Sequence, residues 1–367
     1  MRHRLALAAL LGALSLTLAP SAASAGVSRD FWGVIPINDL TQDDFDRMGQ
    51  GQVGTLRIGA LWRDIEPNPG EYDFSYLDFV VGHAAAQGIR VLPFPYGTPN
   101  WVDKDCTGLS DSQCERVPPL ATDAAKSAWK QFLATLVGRY GPGGVFWQQN
   151  PGIPAQPIRE WQIWNEPSSP TYWQPEPSTS AYAQLVKLSH EAITGVDPDA
   201  RIVLAGLFGT PQGDLASKNV MWKYLGRLYK SPGIKSAFDA VALHPYSPNL
   251  EGIEFQLDKA LKKVEKNHDT KTEIMITEIG WGSDPPPGDK PLIKGVDGQR
   301  NLLEKSFRLL RSKRKRWNIG GLVWYAWQDP GFAIESCSFC SSAGLFEEDG
   351  TAKPSWTSFV KFTGGTP

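Results

Sequence analysis

The sequence predicts an α/β protein built as a single (β/α)8 TIM barrel. Three observations point to it: eight short apolar runs, amphipathic stretches between them, and no glycine-rich turn after the first run. Strand and helix in alternation indicate a parallel sheet with crossover helices. An open doubly wound sheet is the alternative. It would place a phosphate-binding glycine turn after its first strand, where this chain has Pro36-Ile37-Asn38.

The expected strands are Phe31–Ile35, Thr55–Ile58, Arg90–Phe94, Ile158–Trp164, Arg201–Ala205, Phe238–Leu243, Glu273–Thr277 and Gly321–Trp327. Most are near-continuous apolar stretches, as suits parallel strands covered on both faces. Helical spacing of apolar residues runs through Phe74–Gln87, Thr122–Tyr140, Thr179–Thr194, Ala216–Tyr229, Phe255–Asn267 and Gln299–Lys313. The longest interval between strands, Phe94 to Ile158, follows a strand's C-terminal end, so its first part should rim the active face. The basic run Arg311–Arg316 ends a helix, where cations favour the dipole, and reads as a solvated helix end.

Residues 1–25 have the anatomy of a secretory signal peptide. Arg2 and Arg4 precede an apolar run from Leu5 to Leu18, and Ala23-Ser24-Ala25 is a small-residue cleavage site. The run is shorter than the roughly 20 residues a membrane anchor needs. The expectation is a secreted protein, cleaved after Ala25, with residues 26–367 forming one catalytic domain. Export makes disulfides the favoured reading of the four cysteines. Local pairing, Cys106 with Cys114 and Cys337 with Cys340, is expected because each pair sits within one loop. A four-thiolate zinc site is the rival, disfavoured by the seven-residue gap between Cys106 and Cys114.

Composition excludes other classes. The chain has 367 residues, 37 basic against 39 acidic, and 41% hydrophobic residues, so it is neither disordered nor a polyanion binder by overall charge. Neither a nucleic-acid nor a membrane partner is expected, and no cofactor fingerprint or metal-ligand cluster is present.

Two glutamates occupy matching positions. The fourth strand ends in Trp161-Gln162-Ile163-Trp164-Asn165-Glu166-Pro167 and the seventh in Ile276-Thr277-Glu278-Ile279-Gly280-Trp281. Ionisable groups at C-terminal strand ends of a barrel point into its mouth. Two carboxylates facing one pocket suit glycoside hydrolysis, one protonated as acid and the other ionised. Asp64, Glu66, Asp329 and Glu335 are competing carboxylates, with Glu66 in a setting that also suits a turn.

These strand ends resemble the Asn-Glu-Pro signature and the nucleophile strand of retaining glycosidases of clan A. Together with Trp62-Arg63-Asp64-Ile65-Glu66-Pro67, Gly70-Glu71-Tyr72-Asp73 and Gly97-Thr98-Pro99-Asn100-Trp101, they are similar to glycoside hydrolase family 39 and cellulase-like family 5 proteins. The resemblance implies Glu166 as general acid/base and Glu278 as nucleophile. It implies that Asn165 bonds the sugar 2-hydroxyl, that Arg57 holds Glu278 ionised, and that His244 and Tyr246 orient Glu278 or the sugar. Trp327 would floor the sugar site. The stretch after the eighth strand is too short for the β-sandwich of family 39 xylosidases, so a compact barrel of the family 5 kind is expected.

The chain carries 14 tryptophans. Trp62, Trp101, Trp164, Trp281 and Trp327, with Trp173, fall at or beyond strand ends and are expected to line an extended cleft by stacking on sugars. The partner expected is therefore an oligo- or polysaccharide, acted on by a monomer. Three functions remain open at this point: a retaining β-glycosidase, a transglycosylase using the same glutamates, and a non-catalytic glycan-binding barrel.

Overall fold

The computed structural model describes residues 27–209, 217–285, 290–334 and 337–367. The leader assigned to residues 1–25, Ala216 at the start of the fourth expected helix, and Glu335 lie outside the described residues. Eight strands form one sheet: β1 (Trp32–Ile35), β2 (Thr55–Leu61), β3 (Arg90–Tyr96), β4 (Glu160–Ile163), β5 (Arg201–Phe208), β6 (Ala240–His244), β7 (Glu273–Ile279) and β8 (Ile319–Tyr325). Every paired neighbour is parallel, in the order β3-β2-β1-β8-β7-β6-β5-β4. Each strand is followed by a helix, giving α1 (Gln42–Gln50), α2 (Ser75–Ala86), α3 (Asp123–Tyr140), α4 (Thr179–Thr194), α5 (Met221–Leu228), α6 (Leu250–Lys266), α7 (Gly295–Ser312) and α8 (Pro354–Thr363). This is the (β/α)8 barrel that the alternation predicts.

The seam between β3 and β4 is joined by the Trp164 N–H donating to the Pro95 carbonyl, at 3.1 Å. Pro93 and Pro95 lack an N–H. Backbone groups two residues apart face the same side of a strand, so β3 offers no donors there and no regular ladder forms. Helix α1 was not anticipated. Its signal is a capping box: the Thr41 N–H donates to Asp44 at 2.8 Å, just ahead of buried Phe45 and Met48. The basic run after α7 is tied to α6, through Lys313–Glu254 at 2.6 Å and Arg316–Asp258 at 2.9 Å.

Inside the barrel, side chains come from alternate residues. Leu92, Val203, Ala240, Ala242 and Met275 pack together, and Ile35, Phe94 and Val323 form a second cluster. Fully burying a side chain such as Leu92 is worth roughly 1.5–3 kcal/mol. Continued toward the strands' C-terminal ends, the same files arrive at polar residues. Ala240 and Ala242 lead to His244, Met275 to Thr277, Val323 to Tyr325, and Leu92 and Phe94 to Tyr96. The apolar half of the barrel is thus the foundation on which the polar mouth stands.

Candidate active site

Arg57, on β2, occupies the axis of the mouth and is fully buried. Its guanidinium lies 4.0 Å from the centre of the Phe94 ring. It donates to Gln162 Oε1 at 2.9 Å, to Asn165 Oδ1 at 2.7 Å and to Glu278 Oε1 at 2.6 Å. One planar cation therefore fixes side chains from β4 and β7. Accepting from Arg57 turns the Asn165 NH2 group away from the guanidinium. With no exposure, Arg57 holds other side chains in place.

Glu278 reaches the mouth because β7 is bulged. The register with β8 runs Ile276 with Leu322, then Ile279 with Trp324, so three steps on β7 match two on β8. Such an insertion re-aims side chains. It lets two consecutive residues, Thr277 and Glu278, both face the barrel axis. Glu278 Oε2 accepts from the Tyr246 hydroxyl at 2.8 Å. Glu166 follows β4 with φ +38, and Trp164 has φ +72. Non-glycine residues rarely adopt this left-handed backbone, and it clusters at functional sites.

His244 touches Glu166 more closely than Glu278: Nδ1 is 2.6 Å from Glu166 Oε1 and 3.5 Å from Glu278 Oε2. Its Nε2 is 3.0 Å from Thr277 Oγ1. The imidazole has room because Gly206 faces it from β5, where a Cβ would overlap the ring. Burial, reinforced by Arg57, pushes His244 well below the usual histidine range, so it is neutral. Both glutamates are buried at 7% exposure. Burial raises the Glu166 carboxyl well above the ordinary range, and the neighbouring Glu278 charge raises it further. Burial also raises Glu278, but Arg57 and the Tyr246 hydroxyl pull it back down. Glu278 stays raised overall, but its ionisation is less strongly opposed than that of Glu166, so of the two Glu166 holds a proton more readily.

Carboxylate oxygens of Glu166 and Glu278 and a ring nitrogen of His244 lie within 4.8 Å of one another. Three such atoms could ligate a divalent ion. Glu278 is already neutralised by Arg57, and His244 Nδ1 is already bonded to Glu166, so the cluster has the partners a metal would otherwise supply.

The glutamates open on a cavity of about 310 Å³. Its aromatic walls are Tyr172, Phe208, Tyr246, Tyr325 and Phe339, and the Cys337–Cys340 pair closes one side. The tryptophan expectation is corrected here. Trp62, Trp164, Trp173, Trp281 and Trp327 are all buried. Each indole N–H that donates does so to the protein: Trp62 to Glu66 at 2.6 Å, Trp164 to the Tyr172 carbonyl at 2.7 Å, and Trp281 to the Ser247 carbonyl at 2.7 Å. Trp327 donates to the α1 capping residue Asp44 at 2.8 Å and packs on Phe346 and Trp356. Trp101 is half-buried, donates to the Glu66 carbonyl at 2.9 Å and meets Trp62 edge-on. These rings are core between barrel and helices, because a large indole with an internal acceptor gains more from burial than from exposure. At the end of β8 the wall residue is Tyr325, two positions earlier on the inward file.

Sequence reasoning therefore missed Tyr172, Phe208, Tyr325, Phe339, Gln162 and Thr277. Period-two counting along β4, β7 and β8 would have found Gln162, Thr277 and Tyr325. The competing carboxylates are structural: Glu66 accepts from Trp62 and from the Gly70 N–H, Asp64 pairs with Arg63, and Asp329 pairs with buried Lys353 at 2.5 Å. Both expected cysteine pairs are joined, Cys106 to Cys114 and Cys337 to Cys340.

Comparison with known proteins was made at three levels. The model of a β-galactosidase family, glycoside hydrolase family 42, matches residues 36–107. No curated protein sequence matches the chain. Among solved structures, a family 39 glycoside hydrolase from Bacteroides cellulosilyticus superposes with TM-score 0.65 at 17% identity, covering 92% of this chain and 64% of that one. A monomeric β-xylosidase from Caulobacter crescentus gives TM-score 0.65 at 17% identity, covering 92% and 68%. An intracellular xylanase from Thermoanaerobacterium saccharolyticum gives TM-score 0.60 at 14% identity, covering 90% and 96%. This chain thus spans about two thirds of the length of the family 39 structure and of the β-xylosidase, and nearly all of the xylanase. What the chain shares with all three is the (β/α)8 barrel fold.

Proposed function

We propose that the protein is a secreted glycoside hydrolase that cleaves a β-linked glycan with retention of configuration. The observation carrying this reading is the buried pair Glu166 and Glu278, each with an oxygen within 4.8 Å of the other, with burial and the Glu278 charge raising the Glu166 carboxyl and Arg57 and Tyr246 opposing the rise of Glu278. Double displacement needs carboxyl groups about 5–5.5 Å apart and inversion roughly 6.5–9.5 Å, and two facing oxygens this near each other are compatible with the shorter spacing.

Glu278, ionised beside Arg57, attacks the anomeric carbon. Glu166 delivers its proton to the departing glycosidic oxygen. A covalent glycosyl-enzyme forms, and the Glu278 charge disappears. Without that charge the pKa of Glu166 falls, so Glu166 now takes a proton from water, which attacks the intermediate and restores both groups. The Asn165 NH2, left free because its oxygen accepts from Arg57, would bond the sugar 2-hydroxyl.

Neutral His244 has a part in this cycle. With the tautomer in which Nε2 accepts from the Thr277 hydroxyl, the hydrogen is on Nδ1 and is donated to Glu166 Oε1. The acid proton then sits on Oε2, free for the leaving oxygen. When Glu166 ionises, the same N–H becomes a stronger, charge-assisted bond. Tyrosine and phenylalanine walls offer stacking faces for a sugar, and about 310 Å³ suits a short stretch of it. Two disulfides fit an oxidising compartment and support the secreted expectation for this single-barrel, monomeric enzyme.

Azide separates the two glutamates. Assayed on a panel of aryl β-glycosides, Glu166→Ala should turn over activated substrates slowly and, with azide, yield the β-glycosyl azide. Glu278→Ala should be inactive alone and yield the α-glycosyl azide. Full activity in Glu278→Ala would refute the assignment.

A further inference from the structure

The wall of the catalytic cavity is contributed in two groups. In double displacement one sugar stays on the nucleophile while the departing group leaves beside the acid. Tyr246 bonds Glu278 at 2.8 Å, and Tyr325 and Phe339 pack on Tyr246 with centroids 6.3 and 5.1 Å away. This group faces the retained sugar. Ser169, Thr171 and Tyr172 form the other group, and all three come from the loop between β4 and α4 that also carries Glu166. They stand beside the acid, where the departing group must lie.

That loop is fixed by its own backbone. The Glu166 carbonyl accepts from the Ser169 N–H at 2.8 Å, and the Ser169 carbonyl accepts from the Tyr172 and Trp173 N–H groups at 3.2 and 3.0 Å. The Tyr172 carbonyl accepts from the Trp164 indole at 2.7 Å. The two successive aromatic residues then part. Trp173 is buried against Trp164 and Tyr182, while Tyr172, half-buried, enters the cavity wall. Its ring is steadied by the Arg116 guanidinium, 5.9 Å from its centre, and by Tyr96, which meets it edge-to-face at 6.4 Å. Burial holds the Tyr172 phenol well above its ordinary pKa, so it stays a neutral donor. Thr171, also half-buried, brings a hydroxyl to the same stretch of wall.

We propose that Tyr172 and Thr171 form the subsite for the departing group, and that this group is itself a sugar. The apolar face of its ring lies on the Tyr172 ring, and its hydroxyls reach the hydroxyls of Thr171 and Ser169. A purely apolar aglycone would cover those hydroxyls without offering them a partner, which is unfavourable. Tyr172 is thus a specificity-determining residue on the acid side of the scissile bond, and the substrate is a β-linkage between two sugars. This inference rests on the retaining reading of Glu166 and Glu278 and extends it to what lies beyond the bond cleaved.

The test compares two substrates of the sugar that the aryl β-glycoside panel identifies: its β-linked disaccharide and its methyl β-glycoside. Both need the Glu166 proton, but only the disaccharide departs with a ring to stack. Tyr172→Ala should lower the ratio of kcat/KM for the disaccharide to that for the methyl glycoside about three- to tenfold. Tyr172→Phe, which keeps the ring, should retain most of it. Thr171→Val, close in size, should lower the ratio about threefold. A fall in both substrates by the same factor would overturn the proposal, because it assigns Tyr172 to the support of Glu166 or of the fold. An unchanged ratio in Tyr172→Ala would overturn it too. An unchanged ratio in Thr171→Val alone would overturn the sugar as departing group. Wild-type protein that turns over neither substrate nor any aryl glycoside would remove the catalytic reading itself, a failure distinct from these.

Discussion

Tyr246→Phe probes how Glu278, the proposed nucleophile, is kept charged. The phenol donates to Glu278 Oε2 at 2.8 Å, and the pair is almost fully buried. Burial and both carboxylates hold this phenol well above its ordinary pKa, so it stays a donor throughout. A hydrogen bond to a charged group contributes about 1.5–3 kcal/mol. Removing it withdraws that support from the ionised carboxylate only. At 1.36 kcal/mol per unit, the Glu278 pKa should rise by about 1–2 units. Since attack needs the ionised form, the acid limb of kcat/KM against pH should move up by that amount. The alkaline limb, set by Glu166, should move much less. The assay is a pH profile on one aryl glycoside for both proteins. An acid limb that stays in place while activity merely scales down would refute the reasoning.

Gly206→Ala should push the His244 ring off Glu166, lowering kcat by about tenfold or more with little change in KM, because a hydrogen bond to a charged group contributes roughly 1.5–3 kcal/mol. Lys353→Met leaves buried Asp329 without its 2.5 Å partner and should destabilise the fold by about 3–5 kcal/mol. Burial already raises Asp329 to about 6, and losing Lys353 raises it further, so this penalty should be larger at pH 8 than at pH 5 in thermal melts. Reducing both disulfides should lower stability by about 2 kcal/mol for the Cys337–Cys340 loop and slightly more for Cys106–Cys114, read as separate melting shifts in the two double serine variants.

The barrel was legible because its strands are apolar runs and its helices carry apolar stripes, both local signals. The glutamates were legible because a carboxylate at the end of such a run has few structural reasons to be there. What surrounds them was harder to read. Arg57 joins residues 105, 108 and 221 positions away, and no local pattern announces that geometry. The β7 bulge turns both Thr277 and Glu278 inward, and it shows only when β7 and β8 are paired. The tryptophans misled because position at a strand end says where the backbone is, not which way the ring turns. Trp327 turns outward to Asp44, and Tyr325 forms the cavity wall. The resemblance puts His244 with Glu278 or the sugar, while its shorter contact is to Glu166, at 2.6 Å against 3.5 Å to Glu278.

The central claim is a double displacement carried by Glu166 and Glu278. Proton NMR of the first-formed sugar, recorded before mutarotation while the enzyme turns over an aryl β-glycoside, tests it most directly. The account predicts that the β-anomer appears first and then equilibrates. Initial release of the α-anomer would contradict it.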